Sequence, residues 1–509
     1  MKTTRMLKLK NISPQFKVRL DNLMREFCAA KRYSYNRLIN GLDQNETNKL
    51  LQRVFRLNKR YSEDATLQAK TIIDSQKELL ALYLEETKAK LIKTRRKIET
   101  YKTGKKTPQK VDLKTCLEGL GFRVKKLKQK QTELQNHIDN HTIPPAIFGG
   151  KKNFRARTKG HITNQEWKDL RTNQLYSRGD KTKKGNLNTR ITEQNDRFYL
   201  EIADSLNIKP NNRSPRIKAE LEIPDKYFDE ILDATYPDSK GNYHPYSIEI
   251  KRKDGEYYVY LTYEEEVPGS CLKPKQPINA HLIAGIDVNI DRTAVTIMTK
   301  QGNFIKSRVF YCHEMEYVSS NKRENLAGEH SKEIIDYLLH ENVGAIVTEK
   351  LNFRNDHDTN KRYNRLTHNF TRKKLLQGIT RRSLRNGFEV KQINPAYSSI
   401  IGRFKYSKKY GLSVHQAAAL VIGRRGLGYS EKLPVELIQK LQELKPYLQN
   451  LIGSKEESNK IKYLKDIIQK IDNFKHYHLW TLWNMANKFL EFNLSDHKLK
   501  RQEVKPLSY

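Results

Sequence analysis

The sequence predicts a multidomain α+β chain: a helical, charged amino-terminal part, a strand-rich middle and an α/β domain. Three observations lead there. Apolar residues recur at helical spacing among many charges over 11–189, and alternation with period two takes over across 190–267. From 278 onward, short apolar runs ending on carboxylates alternate with helical stretches. Length agrees, since 509 residues suffice for about two to four domains. A hydrophobic fraction of 37% suits elongated, charged pieces better than one large core.

Residues 4–10 alternate basic and apolar groups as a strand does, and 13–42 reads as an amphipathic helix with Ser13-Pro14 at its start. Long charged helical patterns over 65–98 and 111–138 flank Gly104-Lys105-Lys106-Thr107-Pro108, which predicts an antiparallel helical hairpin. It serves either as a solvated spacer or as a grip on a duplex. Across 149–190, Arg155, Arg157 and Arg178 are interleaved with Phe154, Trp167 and Tyr176. That mixture combines phosphate neutralisation with base stacking, or is a plain basic loop. Strands follow at 198–203, 216–223, 246–252 and 257–263, the last two around the hairpin signal Asp254-Gly255. With the amino-terminal strand they predict a small β-barrel, and 268–277 reads as a linker.

In the α/β domain, the apolar run 282–287 ends on Asp287, while 293–299 alternates Thr, Val and Ile. Gln301-Gly302-Asn303 turns the chain into Phe304-Ile305, predicting adjacent antiparallel strands. A helix at 331–340 precedes a second apolar run, 343–349, which ends on Glu349. A basic helix at 371–386, carrying Lys373, Lys374, Arg381 and Arg382, leads into a strand at 388–393. His415, Ala418, Ala419 and Ile422 then recur at helix spacing, with small alanines that permit close packing on a sheet. Past Arg424-Arg425-Gly426, residues 431–509 form a helical extension, chiefly 434–492, that contains Trp480 and Trp483. It either covers the sheet or packs as a terminal helical pair.

Buried strands that each end on an acid are unusual, because an isolated buried carboxylate is costly unless it is paired or binds a metal. Asp287, Glu349 and His415 come in the order expected of a ribonuclease H-like nuclease. Two carboxylates and a third ligand suit two-metal phosphodiester hydrolysis, with ions roughly 4 Å apart, and magnesium or manganese is the expected metal. The plainer alternative makes the acids strand ends and His415 a core histidine.

The residues that follow these motifs resemble the TnpB (OrfB-type) proteins of bacterial insertion sequences, RNA-guided endonucleases related to type V CRISPR effectors. Gly285-Ile286-Asp287-Val288-Asn289 is similar to the family's G-x-D-x-N strand, and Glu349 with Lys350-Leu351-Asn352-Phe353 to its Glu before Leu-x-Phe. Asn394-Pro395-Ala396-Tyr397-Ser398-Ser399 looks like its Pro-Ala-Tyr-Thr-Ser turn. The likeness is specific over 282–430 and looser at Arg32 to Asn36. It implies a RuvC-like nuclease domain at 278–430, a wedge domain from 1–10 with 190–267, and a helical recognition domain at 11–189. It also implies a guide RNA, target DNA as substrate, and a bacterial cytoplasmic, nucleoid-associated setting. Arg155, Arg157, Arg178, Lys373, Lys374, Arg381, Arg382, Arg424 and Arg425 would then bind nucleic acid.

Two features depart from that pattern. His415 stands where the third Asp is expected, and Ala417 replaces an Asn. RuvC-type resolvases resemble this arrangement in using a histidine in their last motif, where it ligates metal or moves a proton. The interval 400–414 also holds no cysteine, although relatives carry two Cys-x-x-Cys pairs there. Cys28, Cys116, Cys271 and Cys312 are scattered, so no structural zinc is expected, and they read as reduced cytosolic thiols. A formal charge of +38 with pI near 9.8 implies a polyanionic partner. No apolar run approaches the roughly 20 residues of a membrane span, and the amino terminus lacks a signal peptide's apolar core. The expected function is RNA-guided DNA cleavage. The alternatives are a guided DNA-binding protein that has lost cleavage, and a transposase built on the same fold.

Overall fold

The Ser13 hydroxyl accepts from the Phe16 N–H and starts α1 (Pro14–Ile39) immediately after β1 (Lys2–Lys10). The computed structural model describes residues 1–109, 111–207, 214–350, 370–453, 459–473, 479–493 and 498–501. It divides into two units, Met1–Glu266 and Val267–Tyr509.

In the first unit, α2 (Gln44–Phe55) leads into α3 (Lys59–Lys102), which packs antiparallel to α4 (Leu113–Asp139) as the expected hairpin, with Leu80, Leu84 and Leu134 between them. Short α5 (Lys151–Thr158) and α6 (Asn164–Asp169) precede β2 (Gln174–Ser177), β3 (Gly179–Asp180) and β4 (Gly185–Asn186). Next come β5 (Thr189–Gln194), β6 (Arg197–Ala203), β7 (Arg216–Glu222), α7 (Phe228–Thr235), β8 (Ser247–Lys253) and β9 (Glu256–Glu264). Both Asp254 and Gly255 have positive φ, as a two-residue hairpin turn between β8 and β9 requires.

Among the described residues seven of these strands form a sheet ordered β2-β8-β9-β1-β7-β6-β5, while β3 and β4 pair with each other. Alternation buries Tyr257, Val259, Leu261 and Tyr263 of β9 beside Leu7 and Leu9 of β1, and Leu20, Leu23, Met24 and Phe27 of α1 join that core. Two expectations change here. Three strands, β2, β3 and β4, come from inside the segment 11–189 expected to be helical, and β2 joins the sheet because Leu175 and Ser177 alternate inward from an otherwise basic stretch. The barrel is also not closed by a ladder, since the outer strands β2 and β5 do not pair. A buried amide spans the gap. Asn186 Oδ1 accepts from Ser177 Oγ at the end of β2 and from the Thr189 N–H at the start of β5, and its Nδ2 donates to Tyr246 O.

Asp64 in α3 is fully buried. Arg178 Nε lies 3.1 Å from its Oδ1, yet off the line a hydrogen bond needs, so neither atom gains one. Burial therefore wins, and the carboxyl is pushed up to about 7 from its ordinary 3.8. The folded chain then holds a proton that the unfolded chain releases near 3.8, so stability falls as pH rises through that window. Asp64→Asn is expected to flatten this slope. Melting temperatures at pH 4, 6 and 8 check it, and parallel curves for variant and wild type would refute it.

The second unit begins with β10 (Ser270–Leu272), followed by β11 (Leu282–Val288), β12 (Arg292–Thr299) and β13 (Phe304–Tyr311). After α8 (Ser320–His340) come β14 (Ala345–Glu349), α9 (Phe370–Arg385) and β15 (Glu389–Ile393). The six strands are ordered β10-β15-β14-β11-β12-β13. From central β11, β12 and β13 continue antiparallel on one side, and β14 and β15 parallel on the other. This is ribonuclease H-like order. Every residue of β11 after Leu282 is buried, as in a sheet covered on both faces.

The interval 400–414 is filled by α10 (Ser398–Ile401), a π-helical turn at Gly402–Ser407 and α11 (Lys408–Tyr410), leading to α12 (Val414–Gly426). The extension supplies α13 (Val435–Glu443), α14 (Lys445–Gly453), α15 (Asn459–Asp472) and α16 (Leu479–Phe489). Its expected helix stops early, because Leu490–Asn493 pairs as a strand with Lys498–Arg501. Leu437, Leu441, Leu448, Ile467, Ile471 and Trp483 share one apolar cluster with Ile283, Met298 and Val347 of the sheet. The extension thus packs into the sheet's own core. Glu431 fastens its start by accepting from Lys405, Tyr406 Oη (2.7 Å) and Arg424 Nε (2.6 Å), while its carbonyl accepts from Trp483 Nε1. Burial pushes the Glu431 carboxyl up, but these bonds together hold it below the ordinary glutamate range.

Candidate active site

Gly285 explains how a strand and a distant helix come to share a site. A Cβ there would lie 1.9 Å from Ala419 O and 2.7 Å from the Gly423 N, so only glycine lets α12 sit this close to β11. Strand side chains repeat every two residues, so Asp287 points to the same face as Gly285, about 6.7 Å further along. Four helix residues span about 6 Å, and stepping back one turn from Ala419 reaches His415. His415 Nδ1 accordingly lies 3.0 Å from Asp287 Oδ2.

Glu349 arrives by register. In the parallel pair Gly285 faces Val347 and Ile286 faces Thr348, and the same offset carried one step further sets Glu349 beside Asp287. Both acids are nearly buried, at 6% and 7% exposure. Burial first, then the hydrogen bond and charge of Asp287, push the Glu349 carboxyl up to about 9, with Arg372 and the Val288 N–H acting in the opposite sense. Two buried carboxyls this close share a proton or take a cation.

Asn289 ties the group together. Its Nδ2 donates to Asp287 Oδ2 at 2.9 Å and lies 3.0 Å from His415 Nδ1, while its Oδ1 accepts from Arg372 Nη2 at 3.2 Å. His415 Nδ1 thus faces an acceptor and a donor, and only one of the two contacts is a hydrogen bond at a time. A protonated Nδ1 donates to Asp287 and leaves Nε2 as the ring nitrogen available for further chemistry. The His415 side chain is 38% exposed.

The sequence expectation joined Asp287, Glu349 and His415 as metal ligands. The structure brings Asp287 against each of the other two, but among the described residues no three His, Cys, Asp or Glu side chains form a group arranged to hold an ion. The carboxylate pair fits a hard divalent cation: both are oxygen donors, they are buried together, and their mutual repulsion is relieved by positive charge. Lys350-Leu351-Asn352-Phe353 runs outside the described residues after Lys350.

The nine basic residues expected to touch nucleic acid meet different surroundings. Arg155, Arg157, Lys373 and Arg381 are exposed, with Arg157 Nε donating to Asn164, and Arg382 is half-buried. Lys374 pairs with Glu324. Arg178 is engaged by Glu63 and Asp64. Arg424 holds Glu431 and Gly302 O, and Arg425 holds the carbonyls of Asn394 and Ala396. Among the aromatics, Trp167 is buried against Phe154, with ring centroids 5.8 Å apart. Arg372 was not among the expected residues. Its signal was positional, since it precedes the buried Leu375, Leu376 and Ile379 by three, four and seven places on α9, which puts it on the inward stripe.

Fold and site define a ribonuclease H-like α/β unit that carries a buried carboxylate pair against a histidine. The chain belongs to the family described as the SSO2105 N-terminal domain, whose model matches residues 7–272, more than half of it. That match covers the first unit rather than the carboxylate site. The uncharacterized protein SSO2105 of Saccharolobus solfataricus is 26% identical over 277 residues, 50% of this chain and 68% of that protein. Among solved structures, a Cas12f1–sgRNA–target DNA complex matches 83% of this chain and 98% of that one at 15% identity and TM-score 0.31. A T. thermophilus RuvC in complex with a Holliday junction substrate matches 28% and 89% at 15% identity and TM-score 0.21. TM-scores this low do not assign a fold; strand order and connectivity do. Among the described helices, none is long and apolar enough to cross a membrane.

Proposed function

We propose that the chain is an RNA-guided DNA endonuclease of a mobile element, of the TnpB (OrfB) kind, that hydrolyses a phosphodiester at Asp287, Glu349 and His415. The observation that carries this reading is the buried Asp287–Glu349 pair beside His415 at one end of a ribonuclease H-like sheet. Guide RNA and target DNA rest on the motif resemblance over 282–430 and on a formal charge of +38.

Asp287 and Glu349 would hold Mg2+ or Mn2+, which when bound supplies charge neutralisation at the phosphate and a more acidic water. Asp287 orients His415 through Nδ1. His415 Nε2 then takes the proton of the attacking water as the new P–O bond forms, and the opposite P–O bond breaks, its oxygen taking a proton from solvent water. Asn289 keeps Asp287 and His415 in register.

The test is to purify the protein with co-expressed RNA, sequence that RNA, and offer matching DNA with Mg2+ or Mn2+. Guide-dependent cutting that falls about 100-fold or more in His415→Ala is expected for an acid–base residue. A second reading, a guided DNA-binding protein without cleavage, is favoured by the lack of a three-ligand group among the described residues. Guide-dependent binding with no cutting in either metal would establish it.

A further inference from the structure

We propose that Arg372 is a positioning residue of this site, acting through Asn289; the inference rests on the nuclease reading above. The chemistry of the donors fixes the arrangement. A guanidinium only donates and a carboxylate only accepts, so with Arg372 Nη2 on one side and Asp287 Oδ2 on the other, the Asn289 amide has a single orientation. Its oxygen faces Arg372, and its NH2 faces Asp287 and His415 Nδ1. Without Arg372 only Asp287 holds the amide, so the Asn289 side chain loses its second anchor and with it the fixed place of its NH2 between Asp287 Oδ2 and His415 Nδ1.

Arg372 is placed for this by the helix rather than by chance contact. Leu375 and Leu376, one turn on, and Ile379, two turns on, are buried on the same stripe of α9, so the packing of the helix aims Arg372 inward. Its Nε is buried without a hydrogen-bond partner, so the side chain is kept there although one of its donors goes unsatisfied. Groups that orient metal-binding carboxylates typically change metal affinity by about 10- to 100-fold when removed.

The test is a Mn2+ titration of the full chain, freed of nucleic acid, followed by the EPR signal of the free ion. Arg372→Ala and Asn289→Ala are each expected to weaken Mn2+ binding by about 10-fold, and the double variant no further, because the two residues act in series. Arg372→Lys, which keeps one donor, is expected to stay within about threefold of wild type. Should Arg372→Ala melt early, the Lys variant and Asn289→Ala carry the comparison. Losses that multiply in the double variant overturn the proposal. So does wild-type affinity in Arg372→Ala while Asp287→Ala abolishes binding, an outcome that leaves the nuclease reading intact. Equal Mn2+ uptake by wild type and Asp287→Ala overturns the nuclease reading, and the proposal with it.

Discussion

Asp287→Ala and Glu349→Ala are each expected to reduce guided cleavage by about 1,000-fold or more while binding of guide and target is retained, because each removes charge that would act at the reacting phosphate. Neither side chain carries the fold. Glu349 ends its strand and Asp287 lies one residue from the end of its own, and the apolar residues before them, Ile283, Ile286, Ala345 and Val347, supply the packing. Removing either acid also takes one carboxyl out of a pair in which burial first, and then the neighbouring acid, pushes Glu349 up, so the variants are expected to melt at or above the wild-type temperature. Loss of activity with gain of stability is the pattern of a site built at a cost to the fold. Cleavage assays beside thermal melts check both halves, and cutting at wild-type rate in either variant would sink the assignment.

Gly285→Ala is expected to damage fold and site together. The new Cβ would meet Ala419 O and the Gly423 N, both backbone atoms, so no side chain can swing aside and α12 must lift from β11. Overpacking of this kind costs about 1–3 kcal/mol, which in a unit of this size lowers the melting temperature by about 2–4 °C per kcal/mol. His415 rides on the displaced helix one turn from Ala419, so activity is expected to fall further than the loss of folded protein explains. Comparing cleavage per folded molecule with the melting curve separates the two effects. A variant with unchanged melting and unchanged cutting would show that strand and helix are not held at this distance.

These two predictions draw on what the sequence made legible. Apolar runs that end on Asp287 and Glu349 could be read because period and burial are local properties, and the alanines of α12 announced a close approach before its partner was known. Ionic partners are another matter. Arg178, Arg424 and Arg425 look like free cations in the sequence, and only the folded chain shows Glu63, Glu431 and the carbonyl of Asn394 taking them up. Strand β2 went unread because four residues in a basic stretch carry too little alternation to register, and it is fixed by its pairing with β8. Arg372 went unread for the opposite reason: it sits in a run with Lys373 and Lys374, and only the stripe continued back from Leu376 and Ile379 separates the inward cation from the outward ones.

The most direct measurement is anomalous diffraction at the manganese edge from crystals of the full chain soaked in Mn2+. A peak about 2.2 Å from carboxylate oxygens of both Asp287 and Glu349 is the predicted result. A carboxyl pair that stays in contact with no ion at saturating Mn2+ would contradict the account, leaving Asp287 and Glu349 as a proton-sharing pair that closes the end of the sheet.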